Sequence, residues 1–195
     1  MEELSSVSID DEKAGETIVD YLIDHGHTKI AEIGANLELS QTAILRHNGY
    51  LNSFKKHGIT PDERYYEKAR FSYDSAYHAM KKLLEKDIEI TAVYAISDVM
   101  AIGAIRAILD KGLRVPDDIS ITGFDGSTLA EYYNPKIVSI RQPHKDMAAR
   151  SVELLFSMID LHKGSCHEII PFELTEARVL PELIKDYIMF IVISQ

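Results

Sequence analysis

The stretch Thr91–Gly126, TAVYAISDVMAIGAIRAILDKGLRVPDDISITGFDG, decides the fold. Thr91 to Ile96 is a short apolar, β-rich run of the kind that forms a buried strand. Ser97-Asp98 can cap a helix that continues to Lys111 and stops at Gly112. Val115-Pro116-Asp117-Asp118 reads as a loop. Ile119 to Thr122 reads as the next strand, ending at Gly123-Phe124-Asp125-Gly126. Strand, helix and strand in this order form a parallel pair joined by a right-handed crossover.

Working outward, the same alternation fills the chain. A helix is expected from Glu12 to His25, with Ala14, Ile18, Val19, Leu22 and Ile23 on one stripe, stopped by Gly26. A strand from Lys29 to Ile33 follows, then a helix from Gln41 to His57 ending at Gly58 and a Thr60-Pro61-Asp62 turn. A strand at Lys68 to Phe71 precedes a helix from Tyr73 to Lys86, whose buried stripe is Ala76, Ala79, Met80, Leu83 and Leu84. Lys136 to Ile140 is a further strand, Met147 to Leu161 a further helix, and Glu168 to Leu174 the last regular stretch. This alternation implies an α/β fold with a doubly wound parallel sheet. Ligands of such sheets bind outside the carboxyl ends of the strands, where strand order reverses.

Composition narrows the function. The 195 residues are 46% hydrophobic and 27% charged, a globular balance, and the formal net charge is -10. So acidic a surface repels a phosphate backbone, so this segment by itself is a poor DNA binder. A single cysteine, Cys166, allows no internal disulfide and fits a reducing cytoplasm; it reads as an incidental or small buried thiol. The opening Met1-Glu2-Glu3-Leu4 is acidic, unlike a secretory leader, and the apolar run Tyr187–Ser194 is too short to span a bilayer.

Several polar and aromatic groups fall at the strand ends. Phe71 closes the third strand, Ser97 and Asp98 follow the fourth, Asp125 the fifth and Gln142 the sixth, while Arg46 lies early in the second helix. A carboxylate, a guanidinium, an amide, a hydroxyl and an aromatic ring in one cleft suit a polyhydroxylated or heteroaromatic ligand. Each also has a plainer reading. Asp98 is a first-turn carboxylate favoured by the helix dipole, and Ser97 an N-cap. Phe71 can be core, Arg46 a solvated or carboxylate-paired arginine, and Asp125 a turn-former. No nucleophile elbow, phosphate loop or dinucleotide fingerprint is present, so neither a catalytic residue nor a cofactor is expected. His25 and His27 flank the helix break at Gly26 and cannot share a face as a metal pair would, so no metal site is expected either. His57 stands near a helix C-terminus, where a cation is favoured.

In order, these motifs resemble the LacI/GalR family of transcription regulators. Tyr21–Ile30 (YLIDHGHTKI) is similar to its "yLi..GHkkI" signature, and Leu45–Tyr50 to its "R..Gy" segment. Thr91–Ala104 resembles "tAif..nD.mAiGa", and Gly112–Asp125 is similar to "G..vPdDisviGfDd". Ile140–Pro143 and Leu174–Arg178 resemble "TtvrQp" and "eLieR". Together they run from about residue 7 to 178.

The resemblance implies the type I periplasmic-binding-protein fold, in which two α/β subdomains clamp a ligand, with this chain supplying mainly the C-terminal subdomain. By position, residues 1–9 end the N-terminal subdomain with a hinge strand and 10–140 form the C-terminal subdomain. Residues 141–163 form a hinge crossover and a helix that returns to the N-terminal subdomain, 164–180 the final strand of the C-terminal one, and 181–195 an apolar tail without family counterpart. Arg46 and Asp125 take the places of the polar effector anchors, Phe71 that of the stacking aromatic, and Gln142 that of a hinge crossover near the site. Ser97 stands where sugar-responsive members carry asparagine, whose paired donor and acceptor a hydroxyl lacks; Asp10 is a weaker candidate.

The expected function is therefore that of a cytoplasmic, non-enzymatic effector-sensing and dimerising module of a transcription regulator. Its expected partners are a small polar effector, a sugar or derivative, and a second copy of itself. Operator DNA would be read only through a helix-turn-helix outside this chain, and no membrane is involved. The Asp98–Lys111 helix is expected to contribute to the dimer face. The alternatives are a solute-binding protein of the same fold serving a transporter or chemoreceptor, and an α/β enzyme lacking the motifs above. For a responsive ligand, Asp125→Ala and Arg46→Ala are expected to abolish binding while leaving the fold intact.

Overall fold

A computed structural model describes residues 5–161 and 165–175. The tail at 181–195, most of the closing segment at 174–178 and the first four residues lie outside the described residues. The elements are β1 (Ser6–Ser8), α1 (Asp11–Asp24), β2 (Ile30–Gly34), α2 (Gln41–Lys56), a 3-10 turn (Glu63–Tyr65), β3 (Tyr66–Lys68), α3 (Tyr73–Glu85) and β4 (Ala92–Ala95). They continue with α4 (Asp98–Asp110), β5 (Ser120–Thr122), α5 (Thr128–Tyr132), β6 (Ile140–Arg141), α6 (His144–Leu161), β7 (His167–Ile169) and β8 (Glu173–Leu174).

The four long helices through α4 start on side-chain caps. Asp10, Ser40, Ser72 and Ser97 each accept the backbone N–H three residues on, satisfying a donor that has no partner inside the helix. Gly26, at φ 89°, turns the chain out of α1 in the left-handed region that glycine tolerates.

The main sheet is parallel with strand order β3-β2-β4-β5. The chain steps outward from β2 to β3, then returns across β2 to β4 and on to β5. Right-handed crossovers in opposite directions place their helices on opposite faces, and the helices pack as two pairs, α1 with α2 and α3 with α4. The order reverses between β2 and β4, so their carboxyl ends mark the switch point. Ile30, Ile33, Val93, Tyr94, Met100, Ile105 and Ile108 are fully enclosed between the layers. The expected doubly wound α/β class is the observed one.

Three differences from the expected elements have local causes. The third strand is Tyr66–Lys68, not 68–71. Ser72 caps α3 and its N–H bonds Arg70 O at 2.7 Å, so Arg70 and Phe71 are already turning. Phe71 therefore does not close the strand, and at 49% exposure it is not core either. The strand expected at 136–140 reduces to a bridge between Val138 and Thr122 and the short β6. The last helix starts three residues early, at His144, because Pro143 supplies the carbonyl that accepts Met147 N–H (2.9 Å) and needs no donor of its own.

The expected stretch Glu168–Leu174 divides. β7 lies parallel to β1, away from the main sheet, while β8 pairs antiparallel with β6. With β1 and β7, α6 forms a small group apart from the main layers. Its Val152, Leu155, Phe156 and Ile159 are more than half exposed and recur at helical spacing, so they form one apolar stripe.

Candidate functional site

At the switch point the structure gathers Arg46, Asp125 and Gln142. Arg46 lies on the α2 face packed against α1 and is 5% exposed. Its Nε donates to the Asp11 carboxylate at 2.8 Å and its Nη1 to the carbonyl of Ile96, just past β4, at 2.6 Å. The guanidinium carbon sits 3.5 Å from the centre of the Phe124 ring, a cation–π contact. Nη1 is 3.7 Å from Asp125 Oδ1, which also accepts Gln142 Nε2 at 2.9 Å.

Asp125 is held in an uncommon conformation. At φ 119° it is the one non-glycine residue with positive φ among those described. Its N–H bonds Ile140 O (2.9 Å), and its carbonyl accepts Gln142 N–H (3.2 Å). Strain of this kind persists only where surrounding bonds over-determine the backbone, and it concentrates at functional sites. Here it presents a carboxylate, about one third exposed, just past the carboxyl end of β5.

Electrostatics set the state of that carboxyl. Burial pushes Asp125 up from 3.8 to about 6; Arg46 pulls it down, the nearby Asp98 charge pushes it up, and the Gln142 hydrogen bond lowers it. Burial likewise raises Asp98, although its carboxylate accepts Ser139 Oγ and Ser127 N–H, each at 2.6 Å. A carboxyl raised on folding binds its proton more tightly in the native state. Its stabilising contribution is thus full below about pH 3.8 and lost as pH rises through about 6. Asp125→Asn should remove that component. In urea titrations from pH 4 to 7, wild type should lose stability relative to the variant as pH rises; parallel curves would show that Asp125 titrates normally.

Phe71 belongs to a neighbouring cleft of about 480 Å³ at the ends of β2 and β3, lined also by Asn36, Leu39, Ser40 and Arg70. Its apolar ring beside amide, hydroxyl and guanidinium groups matches the chemistry of a ring-shaped polar ligand. None of the residues bonded to Arg46 lines this cleft. The structure thus brings three of the six sequence candidates into contact and sets Phe71 apart from them, past β3, with β2 lying between β3 and β4.

The other two candidates are occupied as helix caps. Ser97 is 3% exposed and its Oγ accepts Met100 N–H at 3.3 Å. Asp10 is exposed and accepts Lys13 N–H at 2.8 Å. By capping α1, Asp10 places Asp11 in the first turn, and it is Asp11 that reaches Arg46. Sequence reading missed Asp11, because two adjacent aspartates do not show which one caps the helix and which one turns inward. The expectation that Arg46→Ala leaves the fold intact needs correcting, because this arginine is buried and holds two carboxylates and a strand-end carbonyl.

Among the histidines, His25 Nδ1 lies 2.7 Å from Tyr21 O, and His57, the C-cap residue of α2, approaches Asp20 at 3.1 Å. Cys166 is partly exposed. No cluster of His, Cys, Asp or Glu among the described residues could hold a metal ion, and no described helix is long and apolar enough to cross a membrane.

Residues 19–177 match the family model of the periplasmic binding protein-like domain. The chain belongs to this family. Its relatives within the family are LacI-type regulators. It is 41% identical over 172 residues to the HTH-type transcriptional regulator MalR of Clostridium butyricum, covering 88% of this chain and 51% of that protein. It is 36% identical over 164 residues to the HTH-type transcriptional repressor PurR of Histophilus somni, covering 84% and 46%. The structure superposes on the transcriptional regulator CelR–cellobiose complex with a TM-score of 0.86 and 31% identity, covering 90% of this chain and 54% of that one. The chain spans about half the length of the curated relatives it matches.

Proposed function

We propose that this chain is the effector-sensing part of a LacI-type transcription regulator, and that it binds a small polar ligand, a sugar or derivative, at the β2/β4 switch point. The observation that carries the reading is the strained, partly exposed Asp125 carboxylate locked between Arg46 and Gln142 at the carboxyl ends of the sheet. A carboxylate braced in this way accepts hydrogen bonds from vicinal hydroxyls, and the Phe71 cleft at the ends of β2 and β3 offers an apolar ring face. The CelR relative in complex with cellobiose supports the ligand class.

In the same reading the module is cytoplasmic and non-enzymatic. Effector occupancy changes subdomain closure, and a helix-turn-helix outside this stretch reads operator DNA. The module pairs with a second copy of itself through the α3–α4 layer, where Tyr73 and Leu109 are about half exposed. A transporter-associated solute-binding role is disfavoured, since the relatives named above are transcription regulators.

A thermal-shift screen of sugars, sugar phosphates and nucleobases tests the reading. A ligand at 100 times its Kd should stabilise the chain by about 2.7 kcal/mol, and the shift should vanish in Asp125→Ala. A response confined to nucleobases would remove the sugar class. One that survives Asp125→Ala would remove that carboxylate from the site.

A further inference from the structure

Beneath the crevice, a polar row crosses the middle of the sheet. Tyr66 on β3, Glu32 on β2, Tyr94 on β4 and Thr122 on β5 stand in register, each opposite the next. Residues in register on neighbouring parallel strands share a face, and His47 of α2 marks which face this is, with Nδ1 2.7 Å from Glu32 Oε2. Tyr66 is satisfied, donating its hydroxyl to Ala35 O at 2.6 Å. The next three are not. Glu32, Tyr94 and Thr122 are 1%, 0% and 0% exposed, and Glu32 Oε1, Tyr94 Oη and Thr122 Oγ1 have no hydrogen-bond partner among the described residues. Leaving three buried polar atoms on adjacent strands unpaired is costly, and native interiors rarely do so.

We infer that Glu32, Tyr94 and Thr122 frame a buried hydration site, in which ordered internal water supplies the missing partners and joins the His47–Glu32 pair to Tyr94. Water fits the chemistry better than a cation. Glu32 Oε1, Tyr94 Oη and Thr122 Oγ1 are each a partner that internal water can use, and such waters bond two to four polar groups. It has one carboxylate, already engaged by His47, whereas hard cations gather more oxygen ligands. Burial raises Glu32 towards its neutral form, with His47 pulling it back, and the Glu32 hydrogen bond in turn raises His47. The Tyr94 hydroxyl keeps its proton because burial, Glu32, Asp11 and Asp125 all outweigh Arg46. It is therefore a donor.

His47 of α2 contacts Glu32, and the titratable and charged groups that interact electrostatically with Glu32 or Tyr94 are Arg46 and Tyr50 from α2, Asp11 from α1, Tyr66 from β3 and Asp125 beyond β5. Tyr50 is a natural control, because its hydroxyl donates to Ile30 O at 2.9 Å rather than to Glu32. The site stands on sheet register and burial, and is independent of the effector reading.

Tyr94→Phe tests the inference by sign. In a hydrated site it strands a water and removes a donor, so the melting temperature should fall by about 2–4 °C, with Thr122→Val moving the same way. In a dry site each change removes an orphan polar atom, and a rise in melting temperature in either variant would overturn the inference. By NMR, the His47 ring should titrate lower in Tyr94→Phe, because Glu32 loses support for its charge, and unchanged in Tyr50→Phe. An unmoved His47 in Tyr94→Phe would break the proposed link. Exchanging sodium for potassium at constant ionic strength should leave stability unchanged; a cation-specific rise would identify an ion instead of water.

Discussion

Arg46→Ala should cost about 3–5 kcal/mol of folding stability, the range for removing one partner of a buried ion pair. The loss is large because one guanidinium serves several groups. Asp11, itself only 13% exposed at its side chain, loses its partner at 2.8 Å, and Asp125 loses the guanidinium 3.7 Å away. The Ile96 carbonyl at the strand end loses a donor, and the Phe124 ring its stacked cation. Arg46→Lys should rescue little, since an ammonium cannot address Asp11 and Ile96 O at once while lying flat on a ring. Urea denaturation monitored by circular dichroism measures the effect. A loss below about 1 kcal/mol, the scale of an exposed pair, would show that the arginine is solvated and that the network is not structural.

Gly49→Val should be comparably severe, at about 3 kcal/mol, the upper range for overpacking. A Cβ at Gly49 would lie 2.3 Å from Glu12 O and 2.5 Å from Glu16 N, both backbone atoms of α1. The contact is reciprocal, because a Cβ at Gly15 would lie 2.7 Å from Arg46 O. Two glycines thus set the closest approach of α1 and α2, the approach that lets Arg46 reach Asp11. Backing α1 away relieves the clash but stretches that ion pair, so stability and the site geometry fall together. Equilibrium unfolding checks the first. An unchanged midpoint would mean that the helices separate freely.

The two variants bear on how far the site was legible without coordinates. Arg46, Asp125 and Gln142 are all recognisable by position after strands or early in a helix, and they do meet. Asp11 was hidden by its neighbour. A capping aspartate at residue 10 and a first-turn aspartate at residue 11 look alike in sequence, and only the cap bond to Lys13 shows which one is free to turn inward. Phe71 was misplaced at a strand end because β-rich character at 68–71 competes with the turn that Ser72 imposes before α3. Glu32 left no local signal at all. Its partner is fifteen residues away on a helix, and the strand around it reads as ordinary buried apolar sequence.

The sequence by itself determined the alternation of strands and helices, the glycine stops of α1, α2 and α4, and hence a parallel doubly wound sheet. These follow from periodicity and short-range hydrogen bonding, whose determinants lie within a few residues. The tertiary structure alone decided which carboxylate meets Arg46, that Asp125 is strained and pushed up by burial, and that Glu32, Tyr94 and Thr122 align across three strands. Those outcomes depend on sheet register and on the approach of two helices at Gly15 and Gly49. Burial and charge pairing at these positions are set by residues far apart in the chain.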